Sequence, residues 1–149
     1  MIVNVVQAVI HSGSTHRAGK ARHLMTSVKL INQTAPTGET EIRVCESYLS
    51  RLRGLMFTRE LAPSGGIIMD EKAPSRMNAA IHMLFMNYPI AVLWLDPDLV
   101  VVDKVLAKRW ALAYVPKKPA RYVVELHASR LADYAVGDQL ALADAPDVN

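Results

Sequence analysis

The clearest signal along the chain is alternation. Glu41-Ile42-Arg43-Val44 switches between polar and apolar at every step, which predicts a strand buried on one face. Val28-Lys29-Leu30-Ile31 starts a similar strand. Two later runs, 81–86 and 91–95, are apolar on both parities, which predicts strands covered on both faces, with Asn87-Tyr88-Pro89 breaking them. Asp96-Pro97-Asp98 has the composition of a type I turn, so 91–95 and 99–106 are expected to form a hairpin. Pro63-Ser64-Gly65-Gly66 predicts a turn into apolar Ile67-Ile68-Met69. Residues 121–126 predict another strand, 129–135 a helical turn, Val136-Gly137-Asp138 a tight turn and 139–143 a closing strand. Ser47 is placed to cap a short helix carrying Tyr48, Leu49, Leu52 and Leu55 on one face, with Gly54 near its end.

Hairpins and two short helices without βαβ alternation predict an α+β fold, mostly antiparallel, arranged as a small barrel or curled sheet. The 149 residues fit one domain. Its expected extent is 25–144, with 145–149 as a tail and 1–24 as a flexible basic leader or a stretch upstream of the true start near Met25. The leader is apolar first and basic afterwards, the reverse of a secretory signal. The run 81–95 is too short and too interrupted to span a membrane.

Charge changes the picture less than the pI of about 9.1 suggests. Arg17, Lys20 and Arg22 lie in 1–24 with no acid, leaving 14 basic residues against 14 acidic in the rest. A neutral body lacks the usual footprint for phosphate backbones, so no nucleic acid is expected as partner. The local basic cluster of Lys104, Lys108, Arg109, Lys117, Lys118 and Arg121 reads as a solvated face. The single cysteine, Cys45, excludes an internal disulfide framework and fits a reducing compartment, hence a cytoplasmic expectation.

Five stretches occur in order: Arg51-Leu52-Arg53-Gly54-Leu55-Met56, Gly66-Ile67-Ile68-Met69, residues 81–90 (Ile-His-Met-Leu-Phe-Met-Asn-Tyr-Pro-Ile), Val123-Val124-Glu125-Leu126 and Val136-Gly137-Asp138. Together they resemble the family catalogued as domain of unknown function 192 (uncharacterised protein family 0127), a bacterial and archaeal group, over about 28–142. The resemblance implies a mainly β single domain, and many relatives look exported or membrane-tethered. It brings no established reaction, cofactor or ligand. Two positions depart from the family pattern: Ala91 stands where an aspartate is usual, and Ala128-Ser129 where a glycine is usual. If that aspartate served catalysis, this chain lacks it.

The candidate contact residues are His82, Asn87, Trp110, Glu125 and His127. Glu125 and His127 are two apart on a predicted strand, so they project from one face about 7 Å apart, as a carboxylate and the imidazole it orients would. No nucleophile accompanies them, and Glu125 paired with Arg51 or Arg53 is the plainer explanation. His82 reads as a half-buried histidine or a titratable group. No ligand set for a metal and no cofactor motif appears. Met56, Met69, Met77, Met83 and Met86, with Phe57 and Phe85, read as core filling or the lining of an adaptable apolar pocket. Trp110, in a basic and apolar loop, is the best candidate for an exposed contact, although a packed loop anchor is the plainer reading. The expected function is a non-enzymatic binding or accessory module for a protein partner or small ligand. A small hydrolase-like or metal-assisted enzyme using His82, Glu125 and His127 is the alternative.

Overall fold

The computed structural model describes residues 27–45, 55–56 and 59–144. Alternation at its start becomes a hairpin: β1 (Ser27–Asn32) and β2 (Thr40–Cys45) pair antiparallel, Val28 opposite Ile42 and Leu30 opposite Thr40, with all four buried. Five more strands follow: β3 (Gly66–Ser75), β4 (Ile90–Leu95), β5 (Val101–Ala107), β6 (Ala120–His127) and β7 (Leu140–Asp144). They form one sheet in the order β5-β4-β6-β3-β2-β1-β7, antiparallel except where β2 runs parallel to β3.

The two sheet edges meet at one end. Val101 N–H donates to Asp138 O (2.9 Å), Gly137 N–H to Val101 O (2.8 Å) and Leu140 N–H to Leu99 O (3.0 Å), which curls the sheet into a half-barrel. The expected turn at Asp96-Pro97-Asp98 joins β4 to β5; Leu99 N–H donates back to Asp96 O at 3.1 Å. The Asp96 carboxylate accepts from the Asp98 and Val100 amides, reinforcing the turn from its side chain.

The curl creates two apolar layers. Leu30, Ile42, Leu93, Leu95, Val124, Leu126 and Tyr134 belong to the inner one. Ile67, Met69, Met83, Met86, Val92, Trp94 and Val123 belong to the outer one. All six residues of β4 are buried because the strand contributes to both, as its apolar character on both parities requires. Trp94 fills the outer layer and satisfies its indole N–H on Ala79 O at 2.7 Å.

Two expectations need correction, the backbone of 81–86 and the fold class. Residues 81–86 are not a strand: among them only Ile81 makes a β-bridge, to Tyr114, and the rest is turn and loop that plugs the outer layer. Their apolar character reports burial, not backbone conformation. Of two expected helices, the described residues hold one, a 3-10 helix at Ala128–Asp133; most of the other, 47–55, lies outside the described residues, as do 1–24 and 145–149. The described residues are mainly β rather than α+β. Among the described residues no helix is long and apolar enough to cross a membrane.

The Val136-Gly137-Asp138 motif closes the half-barrel. Gly137 adopts φ +98°, which disfavours any side chain there. Asp138 Oδ2 accepts from Asn32 Nδ2 (2.7 Å) and Ala135 N (2.8 Å) in a buried network. Replacing Asp138 by alanine strands both donors, and chemical denaturation is expected to show a loss of about 2 kcal/mol. A loss within error of zero would mean the edges close without this clip.

Candidate functional site

The plug over the outer layer is a short two-stranded ribbon. Ile81 and Tyr114 exchange backbone hydrogen bonds at 3.0 and 2.8 Å, Met83 N–H donates to Ala111 O (2.9 Å) and Trp110 N–H to Met83 O (3.0 Å). Ile81 and Met83 point into the core, and His82 between them is exposed. The Tyr114 hydroxyl accepts from the Lys108 amide at 2.9 Å and so closes the 108–114 loop on itself.

At the end of this ribbon, Phe85 (φ 63°) and Trp110 (φ 62°) are both held in left-handed backbone conformation. Bulky residues rarely adopt it, and it costs of order 1 kcal/mol or more at each. The strain brings the two rings edge to face, with centroids 5.6 Å apart and planes at 63°. Phe85 remains 47% exposed, Trp110 52% and the nearby Leu112 78%. Asn87, two residues after Phe85, is also exposed. Of the residues singled out in the sequence, His82, Asn87 and Trp110 are each exposed. Phe85 thus departs from the apolar filling that its sequence neighbourhood suggests; of that group Met69, Met83 and Met86 are buried, Met77 is exposed and Phe57 lies outside the described residues.

Glu125 and His127 are elsewhere in the fold, on β6. Glu125 sits between Ile67 of β3 and Val92 of β4 in register and is 7% exposed. Burial pushes its carboxyl up to about 7. Among the described residues no hydrogen bond or ion pair reaches it, and the arginines expected beside it, Arg51 and Arg53, lie outside them. Burial also raises the Cys45 thiol; Arg43 pulls it down and the Glu125 charge pushes it further up. A thiol so placed is a poor nucleophile. His127 caps the 3-10 helix: its Nδ1 accepts from the Ser129 amide at 3.2 Å and lies 2.7 Å from Ser129 Oγ. That arrangement assigns the ring proton to Nε2. No hydrogen bond among the described residues links His82, Glu125 and His127, and no group of three or more His, Cys, Asp or Glu side chains among them is placed to hold a metal.

A cleft of about 360 Å³ opens between β2 and the start of β3, with Ile67, Leu55 and Leu61 along it and Glu41, Arg43 and Glu60 contributing charge. Ala91, where the family pattern has an aspartate, is fully buried in the inner layer opposite Leu126 and Leu106. That wall is apolar in this chain.

Comparison with known proteins agrees with this architecture. UPF0127 protein TK1120 of Thermococcus kodakarensis is 38% identical over 97 residues, 64% of this chain and 60% of that protein, so the match leaves a substantial part of that relative uncovered. A UPF0127 protein of Thermococcus gammatolerans is 35% identical over 115 residues, covering 75% of this chain and 73% of the relative. Both relatives are archaeal. Among solved structures, protein R01717 of Sinorhizobium meliloti 1021, described as a candidate transcription regulator, superposes with a TM-score of 0.70 at 21% identity, over 83% of this chain and 98% of that one. A protein of unknown function from Novosphingobium aromaticivorans gives 0.65 at 19% identity, over 89% and 95%. At such identities the likeness concerns the fold. The family profile DUF192, Uncharacterized ACR, matches residues 30–142, and the chain belongs to this family.

Proposed function

We propose that the protein is a non-enzymatic binding module that engages its partner through the surface formed by Phe85, Trp110 and Leu112. The observation that carries this reading is the aromatic pair: two bulky residues in left-handed conformation, packed edge to face and both half-exposed. Strain of this kind persists where surrounding structure enforces it, and it concentrates at contact sites. Tryptophan and other large aromatics dominate the binding energy of such surfaces. Glu125 is shut away from solvent and the His127 imidazole is committed to a cap, which favours binding over catalysis.

The test compares wild type with Trp110→Ala and Phe85→Ala as immobilised baits, using quantitative mass spectrometry of captured proteins. Because the rings are half-exposed, both variants are expected to keep cooperative melting. A specific partner is expected to be retained by wild type and reduced at least tenfold in each variant, as loss of a contact worth about 2 kcal/mol implies. Identical capture by all three proteins would remove the Trp110 surface from the function.

A further inference from the structure

We infer that the partner presents an acidic segment carrying bulky apolar side chains, which it lays across the Phe85–Trp110 pair. This rests on the reading of that surface as the contact site. The independent observation is the charge around it. Lys108 and Arg109 immediately precede Trp110, while Lys117, Lys118 and Arg76, which donates to Pro116 O at 2.8 Å, lie at the other end of the ribbon beyond the Ile81–Tyr114 bridge. All five are exposed, and none enters an ion pair among the described residues. Elsewhere Lys29 meets Glu39, Lys72 and Arg121 meet Asp70, and Arg130 meets Asp133.

The loop supplies no counter-charge of its own. Across 103–121 the one acidic residue is Asp103, and its two oxygens accept from the amides of Lys104 (2.9 Å) and Lys117 (2.8 Å). Lys104 and Arg121, which belong to the same run of sequence, are spent structurally: Lys104 Nζ donates to Leu131 O and Tyr134 O, and Arg121 clamps Asp70. Lys108 and Arg109 thus set positive charge beside the apolar centre, and the complementary object is negatively charged with apolar anchors.

A single-stranded nucleic acid also combines negative charge with rings, but the apolar centre is built for something else. Phe85 packs the Trp110 ring edge to face rather than leaving an open stacking platform, and aliphatic Leu112 is the most exposed apolar side chain beside them. Leucine- or phenylalanine-bearing peptide fits this surface better than stacked bases.

The chain has two tryptophans, and Trp94 is buried and hydrogen-bonded, so changes in emission on binding report chiefly on exposed Trp110. The probes are a 12-residue peptide with glutamates flanking one leucine and one phenylalanine, its glutamine and lysine counterparts, and a 12-nucleotide oligo-dT. A saturable blue shift is expected with the glutamate peptide, at least tenfold weaker binding with the glutamine peptide, and none with the lysine peptide. Added salt should weaken the glutamate complex. Lys108→Glu combined with Arg109→Glu, a surface change that leaves the aromatic pair in place, should lower affinity for the glutamate peptide at least tenfold. Equal binding of the glutamate and glutamine peptides would overturn the acidic requirement while leaving the Trp110 contact standing. Binding of oligo-dT without the peptide would overturn the inference in favour of nucleic acid, and no response to any probe would count against the surface itself.

Discussion

Raising the pH from about 4.5 to 8 is expected to cost the folded protein about 3 kcal/mol through Glu125 alone. Its carboxyl titrates near 7 in the folded chain against an ordinary value of 4.5, because burial among Ile67, Val92 and their neighbours penalises the ionised form. At ~1.4 kcal/mol per pH unit, that displacement sets the magnitude. The sign follows from proton counts. Below 4.5 both states hold the proton and Glu125 contributes no slope. Between 4.5 and 7 the folded state keeps a proton the unfolded state has released, so stability falls as pH rises. Above 7 both are ionised and the full cost is present. Among the described residues, the titratable groups near Glu125 on neighbouring strands are Cys45, whose thiol stays neutral across this range, and Arg43, beyond Ile67 on β2. Asp70 acts at the other end of the scale. Burial raises its carboxyl, but hydrogen bonds from Arg121 and Lys72 and both positive charges outweigh this and hold it below its usual value, so its contribution is lost only in stronger acid. The measurement is urea unfolding of wild type and Glu125→Gln from pH 4.5 to 8. The neutral amide should remove this part of the slope, so the difference between the two proteins should grow by about 3 kcal/mol in favour of the variant. Parallel curves would show that Glu125 ionises freely where it stands.

Much of this architecture is legible in the residues because strands announce themselves through one-sided burial. The alternation of 28–31 and 41–44 gives β1 and β2, and Asp96-Pro97-Asp98 places the β4–β5 turn. The apolar run 91–95 is β4, covered on both faces. The equally apolar run 81–86 fails as a strand for a physical reason. Hydrophobicity fixes that Ile81, Met83 and Met86 leave water, but a loop pressed onto the outer layer buries them as well as a strand would. Backbone conformation there is decided by tertiary contacts, with Phe85 at φ 63°.

The candidate site was legible in part. Trp110 stands out as an aromatic among basic and apolar loop residues, a pattern that fits a packed anchor as well as an exposed contact, and it is half-exposed. Its partner Phe85 was hidden, since a phenylalanine inside an apolar decapeptide looks like core. Glu125 was visible as an oddity, a carboxylate flanked by Val123, Val124 and Leu126. Its depth was not, because only the register with β3 and β4 reveals that both flanking strands cover it. The Val136-Gly137-Asp138 motif turns out to act through barrel closure, with Asp138 engaged by Asn32 from β1, far away in sequence.

The adjacent glycines at the start of β3 should respond oppositely to the same substitution. A Cβ built on Gly66 falls 2.6 Å from Leu126 Cδ2, 2.7 Å from Glu125 O and 3.0 Å from Ile42 Cγ2. The Glu125 oxygen is backbone of the central strand β6 and cannot move without disturbing its ladder to β3. Leu126 and Ile42 belong to the packed inner layer. Gly66→Ala is therefore expected to cost about 3 kcal/mol, the upper end of what overpacking by a methyl group usually costs. At Gly65 the nearest atoms lie at 3.4 to 3.7 Å, ordinary contact distances, and one of them is the flexible end of Leu61. Gly65→Ala should change stability by less than about 1 kcal/mol, because the new methyl finds space and the unfolded chain loses freedom. Urea unfolding of the two variants decides the matter. Equal destabilisation would mean that glycine is needed here for the turn's flexibility. A large loss confined to Gly66→Ala would mean that β2, β3 and β6 curl so tightly at this point that no side chain fits between them.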